Sequence, residues 1–503
     1  MTRETRNSIR QFLRRYHEVI LLGAILLVAL ALRLYQLEQD SFWIDELTQI
    51  NAARRSFWAV PKAALAHPAS APLDYLITHF VYYYVGHSEG ILRLPAVLWG
   101  VLSVATLYFL GKRMFDKTTG FLAAAILTIL PSHIYYSQEV RPYTLAAFMI
   151  LLATFAFYHA VGKNTRGAWV LYGATLAVGM YAHYYVAIVG ILHGAYLVLM
   201  ALAKRLPWNR LLPYVVAAGI AGLLFLPWAL ADQFGSTYSF RWPAASTLFE
   251  APLASPGITY RFTLSHPLTW FGAFVWTGAV AGVWLFIRGK SPARDNLGLL
   301  AVVALAGMAS VLALDYTAPY FFVRRQFVPY APILVLLAAG TAATLAQGGA
   351  QRLVRAETRD RAIAIAVIVL VAFALATLAA PLAQSYRYEK EDWRGVARYL
   401  LQHARYDDII LTRIPYYPET YVPELAKQII TLKGVETVQN QAKKHKRVWV
   451  LGRPYALRRN LPEILDWAAT EKPLEVKGFS QLCLYLYSEQ MTREQLEASL
   501  KQW

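Results

Sequence analysis

Cysteine is almost absent: Cys483 is the single one in 503 residues. That excludes an intramolecular disulfide, a CxxC redox pair and a thiolate zinc site, and it leaves the redox compartment unreadable from cysteine usage. Charge is scarce as well, at 16% of residues against 57% hydrophobic, which puts most of the chain outside the soluble globular range and makes lipid its solvent. Within that charge the acids are the minority, 31 Asp plus Glu against 49 Lys plus Arg, for a net +18. Such a surplus signals nucleic-acid binding where basic residues cluster on one folded surface. Here they sit in short segments between long apolar runs, so nucleic acid is not an expected partner and the charge has a topological role. No internal repeat is present, and no low-complexity tract beyond the apolar runs.

Runs long enough to cross a hydrocarbon core of about 30 Å cover residues 19–37, 94–110, 118–136, 143–161, 211–231, 268–287, 297–314, 327–345 and 362–382. Residues 168–203 form a 36-residue stretch that would be about 54 Å long as one helix, so it must fold back near His183-Tyr184-Tyr185 and supply two spans. About eleven transmembrane helices are expected. The first follows Arg3, Arg6, Arg10, Arg14 and Arg15. A signal peptide with Ala29-Leu30-Ala31 as its cleavage site has the same outline, but the run continues past those small residues and reads as an uncleaved anchor with its N-terminus inside.

Charge orients the spans. Alternate connections carry Lys112, Arg113 and Lys117; Lys163 and Arg166; Lys204, Arg205 and Arg210; Arg288, Lys290 and Arg294; and Arg352, Arg355, Arg359 and Arg361. With the N-terminal arginines these make 20 basic residues on the expected cytoplasmic side. Residues 71–86 are apolar and aromatic but include Asp74 and His79. A crossing there would turn every later basic connection outward, so parity lays this segment along the interface. Residues 39–90 then form one large external loop with juxtamembrane helices, inside a transmembrane domain of residues 1–384. Residues 385–503 read as a small extracytoplasmic α/β domain, with helices at 392–403 and 492–502 and strands at 408–412, 447–451 and 482–487.

Unusual polar content lies in the external segments, where a membrane enzyme acting on a lipid-linked substrate needs it. Asp45 and Glu46, just past the first span and beside Trp43, suit a general base and an acceptor-binding group or metal ligand; the plain alternative is an exposed acidic turn. Arg141, with Glu139 two residues before it and Tyr143 two after, suits a phosphate held by a guanidinium that a carboxylate orients, or a pair that merely closes a turn. Arg324 and Arg325 stand on the external side against the positive-inside preference. They call for a compensating lipid phosphate or for snorkelling to ordinary headgroups. His183 and Tyr184 at the tight turn, and His67 and Asp74 in the first loop, are candidates for substrate contact as well as for structural roles. Arg33 and Arg93 read as snorkelling from span ends.

These stretches resemble the GT-C superfamily of glycosyltransferases, in particular the protein O-mannosyltransferase and lipid A aminoarabinose transferase type. The resemblance rests on Ala31-Leu32-Arg33-Leu34-Tyr35, Trp43-Ile44-Asp45-Glu46, His67-Pro68 with Ala71-Pro72-Leu73-Asp74-Tyr75, Arg93-Leu94-Pro95, Ser137-Gln138-Glu139-Val140-Arg141-Pro142-Tyr143 and His183-Tyr184. Beyond the first two hundred residues, Arg324-Arg325-Gln326-Phe327 with Pro332 looks like the later arginine-bearing motif, and Lys390-Glu391-Asp392-Trp393-Arg394 is similar to bacterial members. The family's Pro-Pro-Leu-Tyr-Tyr stretch reads Ala71-Pro72-Leu73-Asp74-Tyr75 here, a departure that suits a different sugar or acceptor.

The resemblance implies an α-helical polytopic membrane fold and an acidic residue in the first external loop that serves as catalytic base, carried over to Asp45 with Glu46 as its neighbour in acceptor or base positioning. The expected reaction is inverting transfer of a sugar from a polyprenyl-phosphate-linked donor to a hydroxyl of a lipid, glycan or protein acceptor, at the extracytoplasmic face of the plasma (inner) membrane. Arg141, Arg324, Arg325 and Tyr143 are expected at the donor phosphate, and Glu139, His183, Tyr184, His67 and Asp74 at substrate. A divalent metal at Glu46 with Asp45, His67 or Asp74 is optional, because guanidinium charge already serves the leaving phosphate. The rival is a transporter or flippase of a lipid-linked sugar. Transporters place ionisable residues near mid-membrane and often have related halves, whereas the span centres here are nearly free of charge.

Overall fold

A computed structural model of the chain describes residues 3–67, 70–231, 242–258, 263–289, 293–317, 323–353, 355, 358–454, 457, 463–464 and 473–487. By packing, the chain divides into two compact units, Met1–Leu37 with Ala53–Tyr388 and Glu38–Ala52 with Glu389–Trp503. The Asp45–Glu46 stretch is thus part of the C-terminal unit by its contacts, although it lies in the first loop by sequence.

In chain order the helices are α1 (Arg3–Leu34), α2 (Ile44–Ala53), α3 (Ala59–Leu65), α4 (Pro72–Tyr84), α5 (Glu89–Met114), α6 (Lys117–Ile129) and α7 (Pro131–Tyr136). They continue with α8 (Tyr143–Lys163), α9 (Arg166–Ala182), α10 (Tyr185–Leu202), α11 (Leu211–Ala231), α12 (Ala245–Glu250), α13 (Pro267–Arg288) and α14 (Arg294–Ala301). A single π-helical stretch leads into α15 (Gly307–Thr317), followed by α16 (Ala331–Leu353) and α17 (Arg359–Tyr386). Among the described residues nine helices are long and apolar enough to cross a membrane, and the chain is a multi-pass integral membrane protein. Two of the eleven expected spans correspond to shorter helices, α6 with 13 residues and α9 with 17.

The run at 118–136 is not one helix. Leu130 takes φ −70°, ψ 116°, and the chain restarts at Pro131 as α7, because a proline ring disfavours helical geometry in the residue before it. The fold-back in 168–203 falls where expected, with His183 extended at φ −165°, ψ 139° between α9 and α10. At 13 residues, α4 rises about 20 Å, short of the hydrocarbon core.

Arg33 and Arg93 do not snorkel: their exposures are 0% and 2%. The break after α6 leaves carbonyls without helical partners in apolar surroundings, and Arg33 supplies donors to Leu127 O and Thr128 O at 3.4 Å each. The same guanidinium donates to Ala29 O (2.9 Å) and Ser137 Oγ (3.2 Å) and lies 2.9 Å from His133 Nδ1. Arg93 Nη1 donates to Leu37 O at 2.7 Å. Arg33 therefore staples the end of α6 to α1 and to Ser137, two residues before Glu139, and Arg93 ties α5 to the chain just after α1.

In the C-terminal unit, α18 (Trp393–His403), α19 (Tyr416–Glu419) and α20 (Val435–Lys444) accompany β1 (Ile409–Thr412), β2 (Ile429–Thr431), β3 (Val448–Gly452), β4 (Glu475–Phe479) and β5 (Leu482–Tyr487). The sheet order is β2-β1-β3-β5-β4, with β1 parallel to β2 and β3, and β5 antiparallel to β3 and β4. A small C-terminal sheet was expected, and three of its strands fall where the alternation put them; β2 and β4 are additional. Asp392 starts α18 by accepting the Gly395 N–H at 2.7 Å. The expected helix at 492–502 lies outside the described residues.

Candidate active site

Three stretches distant in sequence meet at Tyr143. After α7, residues 137–142 turn with the Arg141 N–H on Glu139 O (2.8 Å), and Tyr143 opens α8. The 3-10 helix Arg324–Tyr330 brings the second stretch. Its geometry is set by Gln326, whose Oε1 accepts the Val323 N–H at 2.7 Å and whose Nε2 donates to both Asp315 oxygens at 3.1 and 3.0 Å. As a result the Arg141 and Arg325 guanidinium carbons each lie 5.9 Å from the Tyr143 ring centroid, within cation–π reach. The third stretch is the α9–α10 turn, with the His183 ring 6.3 Å from that of Tyr143. Tyr136 meets the Tyr143 ring edge-on at 5.3 Å. Glu139, fully buried, and Arg324 and Arg325 are all near enough to Tyr136 for their charges to act on its hydroxyl.

Burial, and after it the Arg141 charge, push the His183 imidazole down to about 3. At neutral pH it is an uncharged ring whose Nδ1 accepts the Tyr185 N–H at 3.3 Å, so the positive charge at this site belongs to the arginines. The double arginine divides its duties. Arg325 faces Tyr143, while Arg324 pairs with Glu250 at 3.3 Å. Glu250 is 3% exposed, and burial raises its carboxyl to about 7 against the pull of Arg324. The Trp228 indole N–H is shared by Ser70 O (3.2 Å) and Tyr184 Oη (3.0 Å), which ties the His183–Tyr184 turn to the residues just before α4. Asp74 is in the first turn of α4 at 6% exposure, and His67 closes a turn after α3 with its N–H on Ala64 O at 3.0 Å.

The acidic pair is built separately, in the C-terminal unit. Asp45 and Glu46 occupy the first turn of α2, where a negative charge complements the helix dipole. Glu46 is fully buried and its Oε2 accepts the Trp43 N–H at 3.2 Å, a back-bond that fixes the helix entrance. Asp45 is half-buried. Burial first, then Tyr416 and the Asp45 carboxylate, raise the Tyr417 hydroxyl above its usual range. Thr48 Oγ1 lies 3.3 Å from the hydroxyls of both Tyr416 and Tyr417.

What holds this segment is Glu391, a residue with no expected role at the site. Glu391, 3% exposed, accepts the Ile44 N–H (3.2 Å) and the Trp393 indole N–H (2.8 Å) on Oε2 and the Arg453 guanidinium (3.0 Å) on Oε1. Its carbonyl oxygen accepts the Ser41 hydroxyl at 2.6 Å, and Ser41 Oγ in turn accepts the Trp393 N–H at 3.1 Å. Arg394 adds donors to Glu38 O and Gln39 O at 3.0 and 3.2 Å. The signal was present in Lys390-Glu391-Asp392-Trp393-Arg394, but nothing in the sequence says that this stretch grips residues 350 positions earlier.

A family model for dolichyl-phosphate-mannose-protein mannosyltransferase matches residues 66–230, about a third of the chain. The fold is similar to ArnT from Cupriavidus metallidurans in the apo state, with TM-score 0.55 and 14% identity over 93% of this chain and 97% of that one. The same protein bound to undecaprenyl phosphate matches with TM-score 0.55 and 14% identity over 94% and 98%. The Archaeoglobus fulgidus oligosaccharyltransferase in its apo form matches with TM-score 0.59 and 12% identity over 88% of this chain and 70% of that one. The chain has the fold of these membrane glycosyltransferases, and residues 66–230 match the mannosyltransferase family model. No curated protein sequence matches it. Among the described residues, no three His, Cys, Asp or Glu side chains gather where they would hold a metal ion.

Proposed function

We propose that this protein is an inverting glycosyltransferase of the GT-C type that moves a sugar from a polyprenyl-phosphate-linked donor to a hydroxyl of a lipid, glycan or protein acceptor, at the extracytoplasmic face of the plasma membrane. The observation that carries the reading is the pair of guanidinium groups, Arg141 and Arg325, at equal distance from one aromatic ring. Arginine forks match phosphate oxygens, and a stacked ring limits their freedom before the ligand arrives. Undecaprenyl phosphate in the similar ArnT structure supports a lipid phosphate as the group they take.

In this reading Arg141 and Arg325 hold the donor phosphate and stabilise the charge that grows on it as the anomeric bond breaks, an interaction stronger in the transition state than in the ground state. Asp45 accepts the proton of the acceptor hydroxyl while that oxygen attacks the anomeric carbon, inverting its configuration. Glu46 keeps Asp45 at the mouth of α2. His183, Tyr184, Glu139, His67 and Asp74 contact or orient substrate, and Arg324 is released toward phosphate when Glu250 is protonated.

The test is transfer of labelled sugar from a panel of polyprenyl-phosphate sugars by the purified protein and by Asp45→Asn. Transfer that the folded variant loses by about a hundredfold or more, the usual weight of a general base, supports the assignment. Equal transfer by both proteins removes Asp45 as the base. Donor movement across liposomes without any transfer replaces the enzyme reading with a transporter.

A further inference from the structure

Open α/β sheets bind ligands outside the carboxyl ends of their parallel strands, at the point where the strand order reverses. In the C-terminal unit that point lies between β1 and β3, because the chain runs from β1 to β2 on one side and returns to β3 on the other. A crevice of about 80 Å³ is found there. Its walls include Thr412 and Arg413 at the end of β1, Gly452 and Arg453 at the end of β3, Tyr417 from α19, and Ile44, the residue before Asp45.

The lining carries two arginines and no acidic side chain among the described residues. Arg453 donates from Nη1 to Glu391 at 3.0 Å, but a guanidinium has five N–H donors in a planar fork and can serve a second acceptor. Arg413 is exposed at the rim. The volume admits a few water-sized groups, which suits one oxyanion better than a whole sugar. Ile44 on one wall directly precedes Asp45, and Tyr417 on another lies with its hydroxyl 3.3 Å from Thr48 Oγ1, one turn along α2 from Asp45.

We propose that this crevice is the acceptor subsite, and that Arg413 and Arg453 hold an oxyanion, phosphate or carboxylate, borne by the acceptor molecule whose hydroxyl is glycosylated. The proposal rests on the transferase reading for the hydroxyl; the oxyanion site itself does not. Arg413 is a specificity-determining residue for acceptors that carry such a group. It lies on the surface, so its replacement leaves the core and the Glu391 contacts in place.

Two measurements on the full-length protein in nanodiscs test it. Backbone-amide exchange with inorganic phosphate, against chloride at equal ionic strength, slows at residues 412–417 and 451–454 in the wild type and does not in Arg413→Gln, while residues 139–143 and 324–326 respond alike in both proteins. Unchanged exchange at the crevice in the wild type, or the same protection in Arg413→Gln, overturns the site. In transfer assays Arg413→Gln raises KM for phosphorylated acceptors about tenfold, the weight of one charge-assisted hydrogen bond, and leaves donor KM, kcat and uncharged acceptors unchanged. An equal loss on charged and uncharged acceptors overturns the acceptor assignment. If no protein form transfers sugar but exchange still responds to phosphate, the transferase reading fails and the oxyanion site stands.

Discussion

Glu391→Gln tests whether the C-terminal unit positions the acidic helix. The carboxylate serves three donors, from Ile44, Trp393 and Arg453, and the isosteric amide turns one of its two acceptor atoms into a donor. Either the Arg453 pair or the Ile44 and Trp393 bonds must then be lost. A hydrogen bond to a charged group contributes about 1.5–3 kcal/mol. Leaving a buried pair half-broken costs more, but the Arg453 side chain is 35% exposed, so solvent offsets part of that cost. The expected weakening is about 2–3 kcal/mol, or roughly 30- to 150-fold in the population of states with the Ser41–Glu46 segment released. Amide exchange of residues 41–47 in the full-length protein should accelerate by about that factor, with kcat lowered and donor KM unchanged. Exchange in this segment equal to the wild type, in a variant that still folds, would refute the reasoning.

Two further perturbations follow from the membrane unit. Burial raises Glu250 from an ordinary 4.5 to about 7, so the folded state holds its proton longer than the unfolded state. This stabilisation is present in full below pH 4.5 and is lost as pH rises through 7. That shift corresponds to about 3 kcal/mol at most. Thermal melts of the wild type should therefore fall between pH 5 and 8 by a margin that Glu250→Gln lacks, and a wild-type curve parallel to that of the variant would contradict the assignment. In Gly100→Ala the new Cβ would collide with Ser137 Oγ and lie 2.8 Å from Arg33 Nε. Displacing Arg33 from the α6 carbonyls should destabilise the bundle by about 1–3 kcal/mol, read as a lower melting temperature, whereas Gly162→Ala, with open space around it, should leave it unchanged.

Membrane class, most span positions, the fold-back at His183 and three sheet strands were all legible in the sequence. Each depends on local quantities: hydropathy over about twenty residues, basic residues in short connections, and period-two alternation. The broken helix at Leu130 was legible in principle too, since Pro131 is written in the chain, but apolar continuity across 118–136 outweighed it.

Only the tertiary structure decided which charges share a site. Arg141 and Arg325 are both visible as arginines at the ends of apolar runs, yet nothing local says that they flank the same ring or that Arg324, one residue away, turns to Glu250 instead. Nor does composition distinguish Arg33, buried on carbonyls, from an arginine reaching for headgroups. The same holds for Asp45, which belongs by sequence to the loop after the first apolar run and by packing to a unit centred more than 340 residues later. Side-chain chemistry and hydrophobic period are properties of neighbours along the chain. Convergence of distant groups is set by how helices and strands pack, and a sequence determines that only through the whole fold.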